Sequence, residues 1–201
     1  MAGPIPCQEP EEPWNRVAIV GEAPGRTEII NGTPFSGPAG HLLDKVLLKA
    51  GVDRANTLVT NTFQHQPGWS VTEDGRRKNN DIMNFFTHDP TRANPKLPPY
   101  KGAHVLEELA DDIRNTWRLL KHRQPALIIC MGSTALWCLT HLEGITQHRG
   151  TPLSTKACDA TVFATFHTAY VLHKKDPSLA DIIETDIRLA LATAGIPLKT
   201  T

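Results

Sequence analysis

A chain of 201 residues, 40% hydrophobic and 21% charged, can bury a substantial core and has the composition of a water-borne globular domain. The 21 basic and 21 acidic side chains cancel, which argues against non-specific coating of nucleic acid but permits a local basic face. No apolar run reaches bilayer-spanning length, and the opening Met-Ala-Gly-Pro-Ile-Pro lacks the features of a signal peptide. The expectation is a cytoplasmic, monomeric protein with no membrane partner, folded as a single domain over residues 1–201.

In chain order, Val17 to Val20 reads as a strand ending at a glycine, and Gly40 to Ala50 as a helix. That helix carries Leu42, Leu43, Val46, Leu47 and Ala50 on one stripe and is stopped by Gly51. Thr57 to Thr60 is a second strand. Residues 62–101, rich in Pro, Asn and Asp, break the alternation and are expected to be a long functional loop. His104 to His122 has helical periodicity through Leu106, Leu109, Ile113, Trp117 and Leu120. Ala126 to Cys130 is a buried strand, followed by a short helix from Gly132 to His141. Thr161 to Phe166 is a further strand, and Asp176-Pro177 opens a last helix with a capping residue and a first-turn proline. This alternation predicts an α/β fold, a three-layer α/β/α sandwich around a central, mainly parallel four-stranded sheet.

Ligands bind such sheets outside the carboxyl ends of the strands. Strand one runs into Gly21-Glu-Ala-Pro-Gly25, strand two into Asn61 and the last into His167, so three separated loops converge on one cleft. Gly-x-x-x-Gly alone is a weak signal. Without a Gly-Lys-Ser/Thr ending or dinucleotide spacing, it does not indicate nucleotide hydrolysis. Cys7, Cys130, Cys138 and Cys158 form no Cys-x-x-Cys pair, and Cys130 and Cys138 lie in apolar stretches as expected for buried thiols.

The longer string, Gly21-Glu-Ala-Pro-Gly-Arg-Thr-Glu28, then Gly32-Thr-Pro-Phe-Ser-Gly-Pro-Ala-Gly40 and Leu42-Leu-Asp44, closely resembles family-four uracil-DNA glycosylases. Thr60-Asn61, Pro125 to Ile129 with Met131-Gly132, Arg149-Gly150 and Phe166-His-Thr-Ala-Tyr170 follow in the matching order, so the resemblance covers about residues 17 to 190. It implies a monofunctional glycosylase that acts on a uracil, or related pyrimidine, flipped out of single- or double-stranded DNA and leaves an abasic site.

By position, the resemblance assigns Phe35 to stack on the flipped base, with Ala23 beside it, and Asn61 to read the uracil edge. A core phenylalanine and a turn-capping asparagine are the bland alternatives. His167 would donate to uracil O2 as charge develops. Glu22 and Glu28 are the carboxylates available to polarise water or stabilise the sugar cation, with Glu22 favoured for its closeness to the strand end. Gly40 would face the DNA. Tyr170, Val171 and Leu172 would wedge into the duplex, with Lys174 and Lys175 at phosphates. Arg76-Arg77-Lys78, with Arg92, Lys96 and Lys101, would add a basic patch, or simply a solvated face.

The sequence departs from the family in three places. Family-four enzymes hold an iron-sulfur cluster on four cysteines, whereas here Cys7 lacks its usual pair and His65 stands where a further cysteine is expected. No cluster and no metal are expected; a mononuclear site on Cys7, His65 and His88 is a weak alternative. One branch of the superfamily traps uracil-DNA covalently through a histidine in a basic loop, but the comparable segment Asp74 to Asn80 ends in Asn79-Asn80, which favours turnover and leaves His65 or His88 as the substitute nucleophiles for trapping. Thr168 replaces the usual proline after the motif histidine, and Gly25 stands where family-one enzymes carry a tyrosine that rejects the thymine methyl. The compact, cluster-free form is similar to glycosylase-like proteins of bacteriophages, for which the host cytoplasm would be the location. The competing readings are a uracil-DNA-binding or covalent-trapping protein on the same fold, and an enzyme acting on free nucleotides.

Overall fold

The computed structural model describes residues 3–197; the remaining residues of the expected 1–201 domain, including the opening Met-Ala, lie outside them. Its first strand, β1 (Val17–Gly21), is buried along its whole length. The short helix α1 (Arg26–Asn31), α2 (Pro38–Lys49) and β2 (Leu58–Asn61) follow. Next come the two small hairpins β3 (Ser70–Val71) with β4 (Arg77–Lys78), and β5 (Phe86–Thr87) with β6 (His104–Val105). The chain then runs through α3 (Ala110–Arg123), β7 (Leu127–Met131), α4 (Ser133–Thr140), α5 (Ile145–His148), β8 (Pro152–Leu153), β9 (Thr161–Thr165), α6 (Thr168–Lys174) and α7 (Ser178–Thr193).

The central sheet has the order β2-β1-β7-β9-β8. The first four strands run parallel, as expected, and β8 adds an antiparallel edge against Val162 and Phe163. Five strands therefore replace the expected four. A two-residue strand carries no readable period, and only its pairing with β9 makes it visible. Side-chain alternation splits the core between the sheet's two faces. Ala18, Val20, Leu58, Ile128, Cys130, Val162 and Ala164 pack toward α3 and α4. Val17, Ile19, Val59, Leu127, Ile129, Met131 and Phe163 pack toward α2 and α7. Both faces are thus covered, which is the physical reason the strands read as near-continuous apolar runs.

Two expectations need correction. The helix expected from His104 starts at Ala110, because His104-Val105 pair with Phe86-Thr87 and a single 3-10 turn, Glu107–Leu109, intervenes. Leu106 and Leu109 mimic the helical period while belonging to a strand exit and that turn. The segment 62–101 is far from structureless. Phe63, Phe85, Phe86 and Tyr100 are buried, and their rings meet at 4.9 Å (Phe63–Phe85), 5.2 Å (Phe86–Tyr100) and, with Trp137 of α4, 5.5 Å (Phe86–Trp137). This aromatic cluster extends the core beneath the loop and, through Phe86 of β5, anchors the β5–β6 hairpin. The last helix starts near its expected place, with the Asp176 carboxylate accepting from the Ser178 amide at 3.0 Å. Among the described residues no helix is long and apolar enough to cross a membrane.

Candidate active site

The sheet register places Gly21 directly beside Asn61, and Met131 beside Thr165, so the carboxyl ends of β1, β2, β7 and β9 open on one edge. Gly21 must be glycine: a Cβ there would overlap the Asn61 amide oxygen and stand 2.5 Å from the Phe35 ring. That vacancy lets both side chains lie over the strand end. The Asn61 amide makes no hydrogen bond to protein among the described residues, while its backbone carbonyl accepts from Thr116 Oγ1 (2.9 Å) and Gln64 Nε2 (3.1 Å). The main chain is pinned, and the edge of the amide is left for a ligand.

Phe35 is only 4% exposed and has a left-handed backbone, φ 53°, a conformation that is costly for a bulky residue. Its neighbours hold it there. Arg54 donates to the Phe35 carbonyl (3.0 Å) and the Pro34 carbonyl (2.8 Å) and pairs with Asp44 (2.6 Å). Gly40, in the first turn of α2, lies against the Phe35 carbonyl so closely that a Cβ would overlap it. The ring stacks on His167 at 5.5 Å with 19° between planes. Phe35, Asn61 and His167 therefore come together. Gly40, itself buried, supports Phe35 from behind.

His167 caps α6, its Nδ1 accepting from the Ala169 amide at 3.1 Å. That bond requires a lone pair on Nδ1, so the ring proton sits on Nε2. Burial, with a smaller push from His173, lowers its pKa to about 4. A neutral imidazole with a fixed N–H is what an oxyanion-type donor requires. Behind it Gly132, at φ 92°, leaves room for the ring: a Cβ there would stand 3.2 Å from His167 Cβ. Thr168, the residue in place of proline, is buried, and its hydroxyl has no partner among the described residues.

The two glutamates separate cleanly. Glu28 accepts from the Gly25 amide (3.1 Å) through one oxygen and from the Gly37 amide (3.0 Å) through the other, stapling two loops together at the start of α1. Glu22 engages one oxygen, which accepts from Thr134 Oγ1 at 2.5 Å in the first turn of α4. Its backbone carbonyl accepts from the Phe63 amide (3.0 Å). Burial raises the pKa of Glu22, opposed by the Thr134 hydroxyl and the charges of Lys101 and Lys78. The partly exposed Ala23 follows it into the loop.

The basic run is partly neutralised. Arg76 pairs with Asp74, Lys78 with Asp81 at 2.8 Å, and Arg77 lies over the exposed Trp69 ring at 4.6 Å. Asn80, at the end of that hairpin, points toward Gly25, its amide nitrogen 3.6 Å from where a Gly25 Cβ would be. On α6, Tyr170 and Leu172 are exposed, and Lys174 sits over the Tyr170 ring at 5.6 Å. Val171 points into the core and is no wedge.

The residues present do not fit a four-thiolate cluster. Cys130 and Cys138 are buried in β7 and α4, with thiol pKa values pushed up by desolvation, to about 12 for Cys138. Cys7 bonds Glu9 at 3.4 Å. His65 is bound to the buried Asp112 at 2.9 Å, and that carboxylate also accepts from the Gln64 amide (2.8 Å). Among the described residues no group of three or more His, Cys, Asp or Glu could hold a metal, which removes the Cys7-His65-His88 alternative.

A family model described as the uracil DNA glycosylase superfamily matches residues 11–187. The chain belongs to that superfamily. Among its relatives, a type-4 uracil-DNA glycosylase of Thermotoga maritima is 29% identical over 177 residues, 87% of this chain and 76% of the relative. A type-4 uracil-DNA glycosylase of Archaeoglobus fulgidus is 27% identical over 179 residues, 86% and 73% of the two chains. One from Pyrobaculum aerophilum reaches 47% identity, but over only 51 residues, 25% of this chain and 26% of the relative.

For a superfamily member, the supporting residues Arg54, Thr134 and Asp112 were missed by sequence reasoning. Each is an ordinary residue in an ordinary segment, and none carries a local signal. Arg149 is in the same class. It was matched as part of a motif, yet its work is to form a bidentate pair with the buried Asp186 of α7 (2.7 and 3.0 Å), which also accepts from Thr165 Oγ1 at 2.6 Å.

Proposed function

We propose that this cleft hydrolyses the N-glycosidic bond of uracil, or a related pyrimidine, flipped out of DNA. The observation that carries the reading is the pairing of a neutral, Nε2-protonated His167 with an unengaged Asn61 amide over one strand end. In this reading Asn61 donates to uracil O4 and accepts from N3–H, and Phe35 and Ala23 form the wall of the pocket. The C1′–N1 bond breaks with its electron pair going to the base, and His167 Nε2–H meets the charge developing on O2. Water adds at C1′ and gives its proton to Glu22, whose ionised form also faces the cationic sugar. Glu28 acts as a positioning residue, through the loops it staples.

Tyr170 and Leu172 fill the gap left by the base, and Lys174, Arg76, Arg77 and Lys78 approach phosphates. The protein works as a monomer, without an iron-sulfur cluster. Gly25 leaves a 5-substituent unopposed, and a Cβ there would stand 2.9 Å from the stapling Glu28 oxygen, so the position excludes a blocking side chain while the staple holds. Turnover is favoured over trapping because Asn80, a poor nucleophile, is the residue that the basic hairpin aims at the Gly25 loop.

The test is base release from single- and double-stranded oligonucleotides carrying uracil, 5-hydroxymethyluracil, hypoxanthine or thymine. Free uracil and an abasic site are expected, lost in His167→Ala and reduced in Asn61→Ala. Binding of uracil-DNA with no base ever released would overturn the reading. A covalent adduct surviving a denaturing gel would establish the trap instead.

A further inference from the structure

A second cleft, sharing no residue with the strand-end site, lies between α3, the far end of α4 and the segment leading into β9. Glu22 touches α4 at Thr134, whereas the cleft is reached at His141, the cap of that helix's other end. That is about 10 Å along the axis at 1.5 Å per residue. Its volume is about 480 Å³, within the range of small-molecule sites.

The ionisable lining is of one sign. Lys96, Arg118, Lys121 and Lys156 face it with His141, and among the described residues no carboxylate lies within 4.0 Å of any of the four cations. Arg114, also in the lining, does have an acidic partner, Asp111 at 3.0 Å on its solvent side. In a chain of zero formal charge, elsewhere furnished with paired arginines such as Arg54, Arg123, Arg149 and Arg188, this concentration of unpaired cations is a local anion field.

The cleft also holds an aromatic surface. Trp117 spends its indole N–H on the Cys138 carbonyl (3.0 Å), so it offers the cavity its ring, with His141 alongside at 6.3 Å between centroids. Burial and Lys156 hold the pKa of His141 below its ordinary value, so a bound anion would raise it. Phosphate-binding cations around an aromatic face are the elements of nucleotide recognition.

We propose that this cleft binds a nucleotide, its phosphates among Lys96, Arg118, Lys121 and Lys156 and its base against Trp117. The nucleotide comes either free in solution or as part of a DNA strand running away from the strand-end site. Binding of a free nucleotide does not depend on the glycosylase reading; binding of a DNA strand rests on it.

Calorimetric titration with ATP, with inorganic triphosphate, and with a uracil-free single-stranded thymidine oligonucleotide tests it. Arg118 and Lys121 are exposed on α3, so Arg118→Ala/Lys121→Ala should fold as the parent does, checked by its melting temperature. The expected result is saturable ATP binding, tighter than triphosphate, weakened more than tenfold in the double variant. In Trp117→Phe the preference of ATP over triphosphate should shrink, and the His141 pKa, followed by NMR, should rise on ATP addition in the parent only. Oligonucleotide binding weakened tenfold by the double variant, with ATP silent, would place the nucleotide in a DNA strand and support the site. Equal binding of ATP and triphosphate would overturn the nucleotide assignment. No saturable binding of ATP or oligonucleotide that responds to the double variant would overturn the site.

Discussion

Acidification provides a direct test of the state of His167. In the fold its pKa is about 4 against an ordinary 6.5, with burial as the main cause. As pH falls through 6.5 the unfolded chain takes up a proton at this residue, while the native chain stays neutral until about pH 4. Over that window the unfolded state binds more protons, so stability is lost as pH falls. A shift from 6.5 to about 4, at about 1.36 kcal/mol per unit, amounts to about 3 kcal/mol. His167→Asn supplies the control, because asparagine caps helices well and does not titrate. Urea unfolding at several pH values between 7 and 4 should therefore show the parent losing about 3 kcal/mol more than the variant. Parallel stability curves would refute the buried neutral imidazole, and with it the fixed Nε2–H donor. The same reasoning means that base release should show no histidine limb near 6.5; its acid limb should come from Glu22, whose burial raises its pKa, and should disappear in the residual activity of Glu22→Gln.

Arg54→Ala removes charged donors from the Phe35 and Pro34 carbonyls and should cost about 2 kcal/mol in stability. Base release should fall about tenfold with the loosened Phe35, and Arg54→Lys should restore it only in part, since a lysine cannot reproduce the fork; kcat and KM on a uracil oligonucleotide check this. Gly40→Ala would drive a methyl into the Phe35 carbonyl and should destabilise by about 3 kcal/mol, measured by thermal unfolding; an unchanged melting temperature would contradict the close approach. Thr168→Pro should stabilise by about 1 kcal/mol, a rise of roughly 2–4 °C in Tm. The site is the first position of α6, the preceding His167 is already extended (φ -71°, ψ 137°), and the change deletes an unpartnered buried hydroxyl.

The local sequence of this protein determined what short-range physics can determine. The apolar runs at Val17, Leu127 and Thr161 had to be buried strands, because only a sheet covered on both faces suits them. The glycines and the residues at the strand ends marked where a cleft would open. Gly21, Asn61 and His167 were legible because each sits at the end of a strand, where chain order already implies proximity. Tertiary structure alone decided the rest. Sequence favours Glu22 over Glu28 only by its closeness to the strand end; their roles separate because one meets Thr134, 112 residues away, and the other finds two backbone amides. The antiparallel β8 is too short to show a period, and the buried aromatics at 63–100 sit among turn residues that hid them. Arg54, Asp112 and Asp186 acquire their roles from partners brought by the fold from elsewhere in the chain. Hydrogen bonds and desolvation depend on those partners, and no local pattern encodes them.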